Sequence, residues 1–166
     1  KESSEIADRA RELANSEVPK LKKKDQEAKT GAEQQLEEAK QNLNEAAKKA
    51  DEAAKLEREG KPEEAAEKME EAAKEFEEAA DKFEKAAEKA EKSAEENVGK
   101  PEKQEAAEEV QKQSAGACKA CQSLSKNAKK AGQSNKPGKS EKKASQPKDI
   151  AQQAESLSKE KLPKIG

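Results

Sequence analysis

From Pro62 to Asn97 apolar and charged positions follow each other on a three-four spacing. Met69, Phe76, Phe83 and Ala90 recur every seven residues, with Ala72/Ala73, Ala79/Ala80, Ala86/Ala87 and Ser93/Ala94 between them. A sustained heptad of this kind predicts one long amphipathic helix over 62–97. Pro62 suits its first turn, Glu63 and Glu64 its positive end, and Gly99 with Pro101 its stop. The same stripe precedes it, with Leu36, Ala39, Leu43, Ala46, Ala47, Ala50, Ala53 and Ala54, and predicts a helix over about 32–59. Glu59-Gly60-Lys61-Pro62 sets a helix-ending glycine just before a helix-starting proline, so the two rods are expected to fold back as an antiparallel hairpin.

A third stripe, Ala107, Val110, Ser114, Ala117, Cys121, Leu124, Ala128 and Ala131, keeps the spacing and predicts a helix over 102–131. Gly116 interrupts it, at a helix cost of about 1 kcal/mol relative to alanine. Beyond it, 132–147 reads as a basic linker. Two short helices are expected at the termini, one capped by Ser3 or Ser4 and carrying Ile6, Ala7, Ala10 and Leu13, the other carrying Ile150, Ala151, Ala154 and Leu157. The fold class that follows is all-α: an elongated antiparallel helical hairpin or three-helix bundle with short terminal helices. Its expected core is Leu36, Leu43, Met69, Phe76, Phe83, Val110 and Leu124.

Composition limits what such a bundle can be. Leu, Ile, Val, Phe and Met together number 17 of 166 residues, too few for a large compact core. The chain has thirty-one alanines instead, many of them at stripe positions, where they allow backbones to approach closely. The pairs Glu64/Lys68, Glu70/Lys74, Glu78/Lys82, Asp81/Lys85 and Glu88/Lys92 are spaced to support a helix by a few tenths of a kcal/mol each. A single solvated helix held by such pairs is the alternative to the hairpin, but it would strand Phe76 and Phe83 in water. No apolar run approaches the roughly 18 residues that cross a bilayer, and no signal-peptide core is present. The chain begins at Lys1 rather than Met, as expected of a processed product or of a piece of something longer.

Laid over one another without gaps, Ile6–Leu21 and Ile150–Ile165 agree at Ile6/Ile150, Ala7/Ala151, Ala10/Ala154, Leu13/Leu157, Pro19/Pro163 and Lys20/Lys164. An amphipathic helix explains the apolar matches but not the recurrence of Pro-Lys at the same distance. The offset of 144 residues is read as one period of a tandem helical repeat, with 148–166 opening the next copy in the manner of 4–22. Coincidence between two low-complexity ends is the alternative. In this respect the chain resembles, in architecture only, the spectrin-like and surface-stalk helical repeats used as spacers. That resemblance implies a mechanical or display role, with a lean towards a cell-surface or extracytoplasmic setting, and it carries no binding residue.

Charge is unevenly spread although 35 basic residues nearly balance 37 acidic ones. Segment 61–97 is strongly acidic, while 126–148 holds eight lysines against Glu141: Lys126, Lys129, Lys130, Lys136, Lys139, Lys142, Lys143 and Lys148. Such a run is a candidate polyanion contact. Without arginine or an aromatic to stack on bases, it is an unpromising nucleic-acid site. Internal complementarity with Glu77, Glu78, Glu84 and Glu88 is the plainer reading.

Cys118-Lys119-Ala120-Cys121 is formally a C-x-x-C, yet it falls in mid-helix, away from the helix N-terminus where thiol oxidoreductases place theirs. Cys118 and Cys121 are therefore read as small seam residues, with a disulfide in an oxidising compartment as the alternative. No histidine and only two cysteines leave little for a transition-metal centre, and no phosphate loop or nucleophile elbow occurs. No cofactor and no enzymatic activity are expected. The function expected is a structural spacer or protein-interaction module whose partner is another protein or neighbouring copies of the same repeat. Alternatives are a helical adaptor that presents one apolar stripe, weak polyanion binding, and a designed helical protein without natural function.

Overall fold

In the computed structural model, residues 2–134 are described, and they form an all-α bundle with no strand among them. The first helix is built from α1 (Glu2–Glu12), a π-helical turn (Leu13–Glu17) and α2 (Val18–Ala28). Then come α3 (Glu33–Arg58), α4 (Pro62–Glu96) and α5 (Pro101–Ser134). At 1.5 Å per residue the 35 residues of α4 span about 52 Å.

The links between helices follow from local chemistry. After α3, Lys61 N–H donates to the Leu56 carbonyl at 2.8 Å and Gly60 N–H to Glu57 at 3.2 Å, the paired bonds of a Schellman stop. Gly60 takes the required left-handed φ of 78°, and Pro62 opens α4 immediately. After α2, Lys29 adopts φ 55° and donates its N–H to the Asp25 carbonyl at 2.7 Å.

Three ion pairs and one amide hydrogen bond set the register of the hairpin. Glu38, Asn42, Lys49 and Glu52 of α3 meet Lys82, Glu78, Glu71 and Lys68 of α4, at 3.1, 3.1, 2.9 and 3.3 Å. Steps of four, seven and three up one helix are matched by the same steps down the other, so the helices are antiparallel. α5 runs back along α4, with Lys129 Nζ 2.6 Å from a Glu77 oxygen near one end and Gly132 against Ala66 beyond it. The first helix closes the fourth side. Arg11 pairs with Asp51, and Lys22 pairs with Glu37 at 2.7 Å, both on α3; Lys24 pairs with Glu109 on α5.

Two features of the sequence reading change. The N-terminal helix is not short and capped at Ser3 or Ser4. Ser3 lies inside α1, buried, and donates from Oγ to Glu57 at 3.2 Å. The helix continues through Pro19 because the preceding turn is widened, with Val18 N–H donating to the Leu13 carbonyl. A proline has no N–H and its ring crowds the carbonyl four residues earlier, so one extra residue in that turn relieves both constraints. α5 also reaches Ser134, so the start of the expected linker is helical. The rest of it, 135–147, and the expected second-copy segment 148–166 lie outside the described residues.

The intrahelical charge pair Asp81–Lys85 is formed, at 3.7 Å. Lys68 and Lys82 reach instead to Glu52 and Glu38 across the hairpin. A lysine at a helix–helix edge finds its carboxylate on the neighbouring helix as readily as one turn away on its own.

Candidate functional site

The residues that chemistry singles out are scattered through the bundle, so each is followed from its own helix. Leu36, Leu43, Met69, Phe76, Phe83 and Val110 are fully buried and Leu124 nearly so. Between the larger side chains lie alanines from every helix, including Ala46, Ala50, Ala72, Ala79 and Ala128, all with no exposed surface. Helices in contact through alanine come close together, and the few large side chains then fill what space is left. Gly132 takes this furthest: a β-carbon there would lie 3.3 Å from the Ala66 carbonyl oxygen.

Cys121 belongs to this core and Cys118 stands half-buried one turn earlier; both thiols are free. Burial pushes the Cys121 thiol up to about 12. Burial also raises Cys118, aided by the nearby carboxylates of Glu84 and Asp81. An attacking thiol needs the opposite environment, one that stabilises thiolate.

Of the basic residues, Lys126, Lys129 and Lys130 lie exposed on the last turns of α5. Lys129 is engaged: it and Ser125 both donate to Glu77 Oε2, at 2.6 and 3.4 Å, and they hold that carboxyl below the usual range. Lys136, Lys139, Lys142, Lys143 and Lys148 lie outside the described residues.

Asp25 is a residue the pattern reading passed over. It occupies a buried position between Leu21 and Ala28, with 3% of its surface exposed. Its carboxylate accepts from the Thr30 hydroxyl and, at 3.0 Å, from Ala32 N–H, so it ties the α2–α3 loop to the end of α2. Burial raises its pKa, more than the Ala32 hydrogen bond lowers it. The available signal was an aspartate at core spacing followed by Thr30-Gly31, a side-chain-to-backbone turn pattern.

Besides an open hollow of about 620 Å³ along α5, beside Glu105, Glu108 and Lys112, two smaller open grooves mark the described surface. One, of about 420 Å³, runs between the π turn and α5, beside Arg9, Leu13, Leu21, Gln113 and Gly116. The other, of about 350 Å³, lies between α4 and α5 beside Glu70, Lys74, Glu77 and Lys129. Neither brings a nucleophile to a base. Among the described residues no three His, Cys, Asp or Glu side chains converge as metal ligands, and no helix is long and apolar enough to cross a membrane.

No protein-family model, no curated protein and no solved structure matches the chain.

Proposed function

We propose that the chain is a non-enzymatic structural module: a rigid helical spacer or protein-interaction unit, one member of a repeat within a larger protein. The observation that carries this reading is that each helix spends its apolar stripe inside the bundle. Among the described residues the one large hydrophobic side chain left exposed is Val98, at 71%. An adaptor that recruits a partner helix needs an unspent stripe or an apolar groove. A spacer needs a closed core and a solvated, charged exterior. The interhelix ion pairs favour the second role, since they select register and orientation more than they add stability.

Light scattering coupled to size exclusion, with small-angle X-ray scattering across a concentration series, tests this. The expected result is a monomeric rod whose dimensions do not change with concentration. Concentration-dependent self-association would favour the adaptor, and a collapsed or coil-like profile would remove both.

A further inference from the structure

The first helix is seated in the bundle by side chains alone. Ile6, Val18 and Leu21 enter the core between α3 and α5. Arg11 and Lys22 pair with Asp51 and Glu37 of α3, and Lys24 pairs with Glu109 of α5. Not one of these contacts requires helix and trough to belong to the same chain. The first helix of a second copy makes all of them equally well.

What assigns this helix to its own trough is the turn at 29–32, and that turn is conformationally costly. Lys29 stands at φ 55°, a left-handed value that a residue with a β-carbon adopts only at an energetic cost, and Gly31 stands at φ 79°. Both values arise because the chain reverses there from α2 into α3. Asp25 holds the reversal, accepting from the Thr30 hydroxyl and from Ala32 N–H. A chain running straight on from α2 into α3 sheds the left-handed turn, but its first helix is then carried away from its own trough.

We propose that two copies of this chain exchange first helices, Glu2–Ala28 of each seating between α3 and α5 of the other. The partner is a second copy, and the surface it uses is the trough the first helix already fits. Exchange reproduces the side-chain contacts of the closed bundle and removes the strained turn, at the cost of joining two independent molecules. An opened single copy exposes Val18, Leu21 and the alanines beneath them, so the dilute chain stays closed. Exchange therefore needs concentrated chains that are transiently unfolded. This goes beyond the spacer reading, since it gives closed rods a means of joining one another.

The test uses two full-length variants. One has an acidic helix, Arg11→Glu with Lys22→Glu; the other has a basic trough, Glu37→Lys with Asp51→Lys. Each alone sets like charge against like, whether closed or exchanged with itself. Unfolded in urea and refolded together at high concentration, they are expected to give a 1:1 dimer that outlasts dilution, several-fold more abundant than either homodimer by native mass spectrometry. Only in that dimer does every trough meet opposite charge. A control places the acidic pair at Lys20→Glu and Lys23→Glu, exposed positions of the same helix, and should give no such dimer with the basic-trough variant. In the otherwise native chain, treated alike, Lys29→Gly should lower the dimer fraction several-fold and Gly31→Ala should raise it; no atom lies within 4 Å of a β-carbon at Gly31, so the second change acts through the backbone. The proposal is overturned if the mixed dimer does not form, if the control forms it equally, or if the two turn variants shift the dimer fraction in the same direction. Should the charge variants fail to fold, the turn variants still decide. None of these failures touches the spacer reading, which is judged on the shape and monomeric state of the native chain that has not been unfolded.

Discussion

Gly132 of α5 rests against the backbone of Ala66 of α4, so near that an added β-carbon would lie 3.3 Å from the Ala66 carbonyl oxygen and 3.5 Å from the Met69 β-carbon. Gly116, more than four turns towards the start of the same helix, has no atom of a neighbouring helix within 4 Å of where its β-carbon would be. One glycine is therefore pressed by a neighbour and the other is not. Gly116→Ala is expected to stabilise the bundle by about 0.5–1 kcal/mol, through helix propensity and a less flexible unfolded chain. Gly132→Ala should return less than Gly116→Ala, because part of that gain goes into pushing α4 away. Urea unfolding of the two variants side by side checks this; equal gains would show that the α4–α5 contact yields freely.

Phe76 and Phe83 are the two largest fully buried side chains, in a core otherwise filled mostly by alanine. Alanine neighbours have no side-chain length with which to close a void. Phe76→Ala and Phe83→Ala should each cost about 3–5 kcal/mol. Chemical denaturation measures the loss, and a change under about half a kcal/mol would mean that the ring is not enclosed.

Asp25 should leave a signature in acid. Because burial raises its folded pKa above the unfolded value of 3.8, the folded state holds the proton more tightly. The cost of burying its charge is present in full above the folded pKa and is relieved as pH falls towards 3.8. Glu37, Glu38, Glu71 and Glu77 behave oppositely. Hydrogen bonds from Lys22, Lys82, Lys49 and Lys129 depress them, and the stability they contribute is lost as pH falls through their folded pKa values. The native chain should therefore weaken below about pH 4.5. Relative to Asp25→Asn, however, it should gain as the pH falls through the folded pKa of Asp25. Denaturation of both chains over pH 3–7 decides it; a native chain that loses ground to Asp25→Asn on acidification would contradict the burial.

The cysteines should be poor nucleophiles. With Cys121 pushed up to about 12 and Cys118 raised as well, thiolate is scarce at neutral pH. A thiol reagent at pH 8 should modify Cys118 slowly and Cys121 only on unfolding, when both rates should approach that of a free thiol. Rapid native-state modification of Cys121 would place it outside the core.

Much of the architecture is legible because one physical rule governs it: a helix buries the stripe its sequence draws. α3, α4 and α5 begin and end within a few residues of where the stripes and the Gly-Pro punctuation place them. Of the expected core residues, Leu36, Leu43, Met69, Phe76, Phe83 and Val110 are fully buried and Leu124 nearly so, while Val18 and Leu21 of the first helix are buried as deeply without having been expected there. The extent of the first helix is less legible, because Pro19 ordinarily signals an end, and only packing against α3 and α5 holds the chain helical through a widened turn. Asp25 is hidden for a related reason: polarity says surface, and the loop amide of Ala32 that makes its burial tolerable is seven residues away.

By itself, then, the order of apolar residues determined that this chain is helical, where most helices run and which faces turn inward, since these depend on spacing along a single rod. Register, and which rod beyond the α3–α4 hairpin lies against which, were decided only in three dimensions, where Lys68 and Lys82 leave their own helix for carboxylates on α3, Arg11 selects Asp51, and Gly132 meets Ala66. The reason is physical. Periodicity fixes a direction perpendicular to one axis, whereas register and neighbour choice depend on distances between axes, and no local spacing contains those.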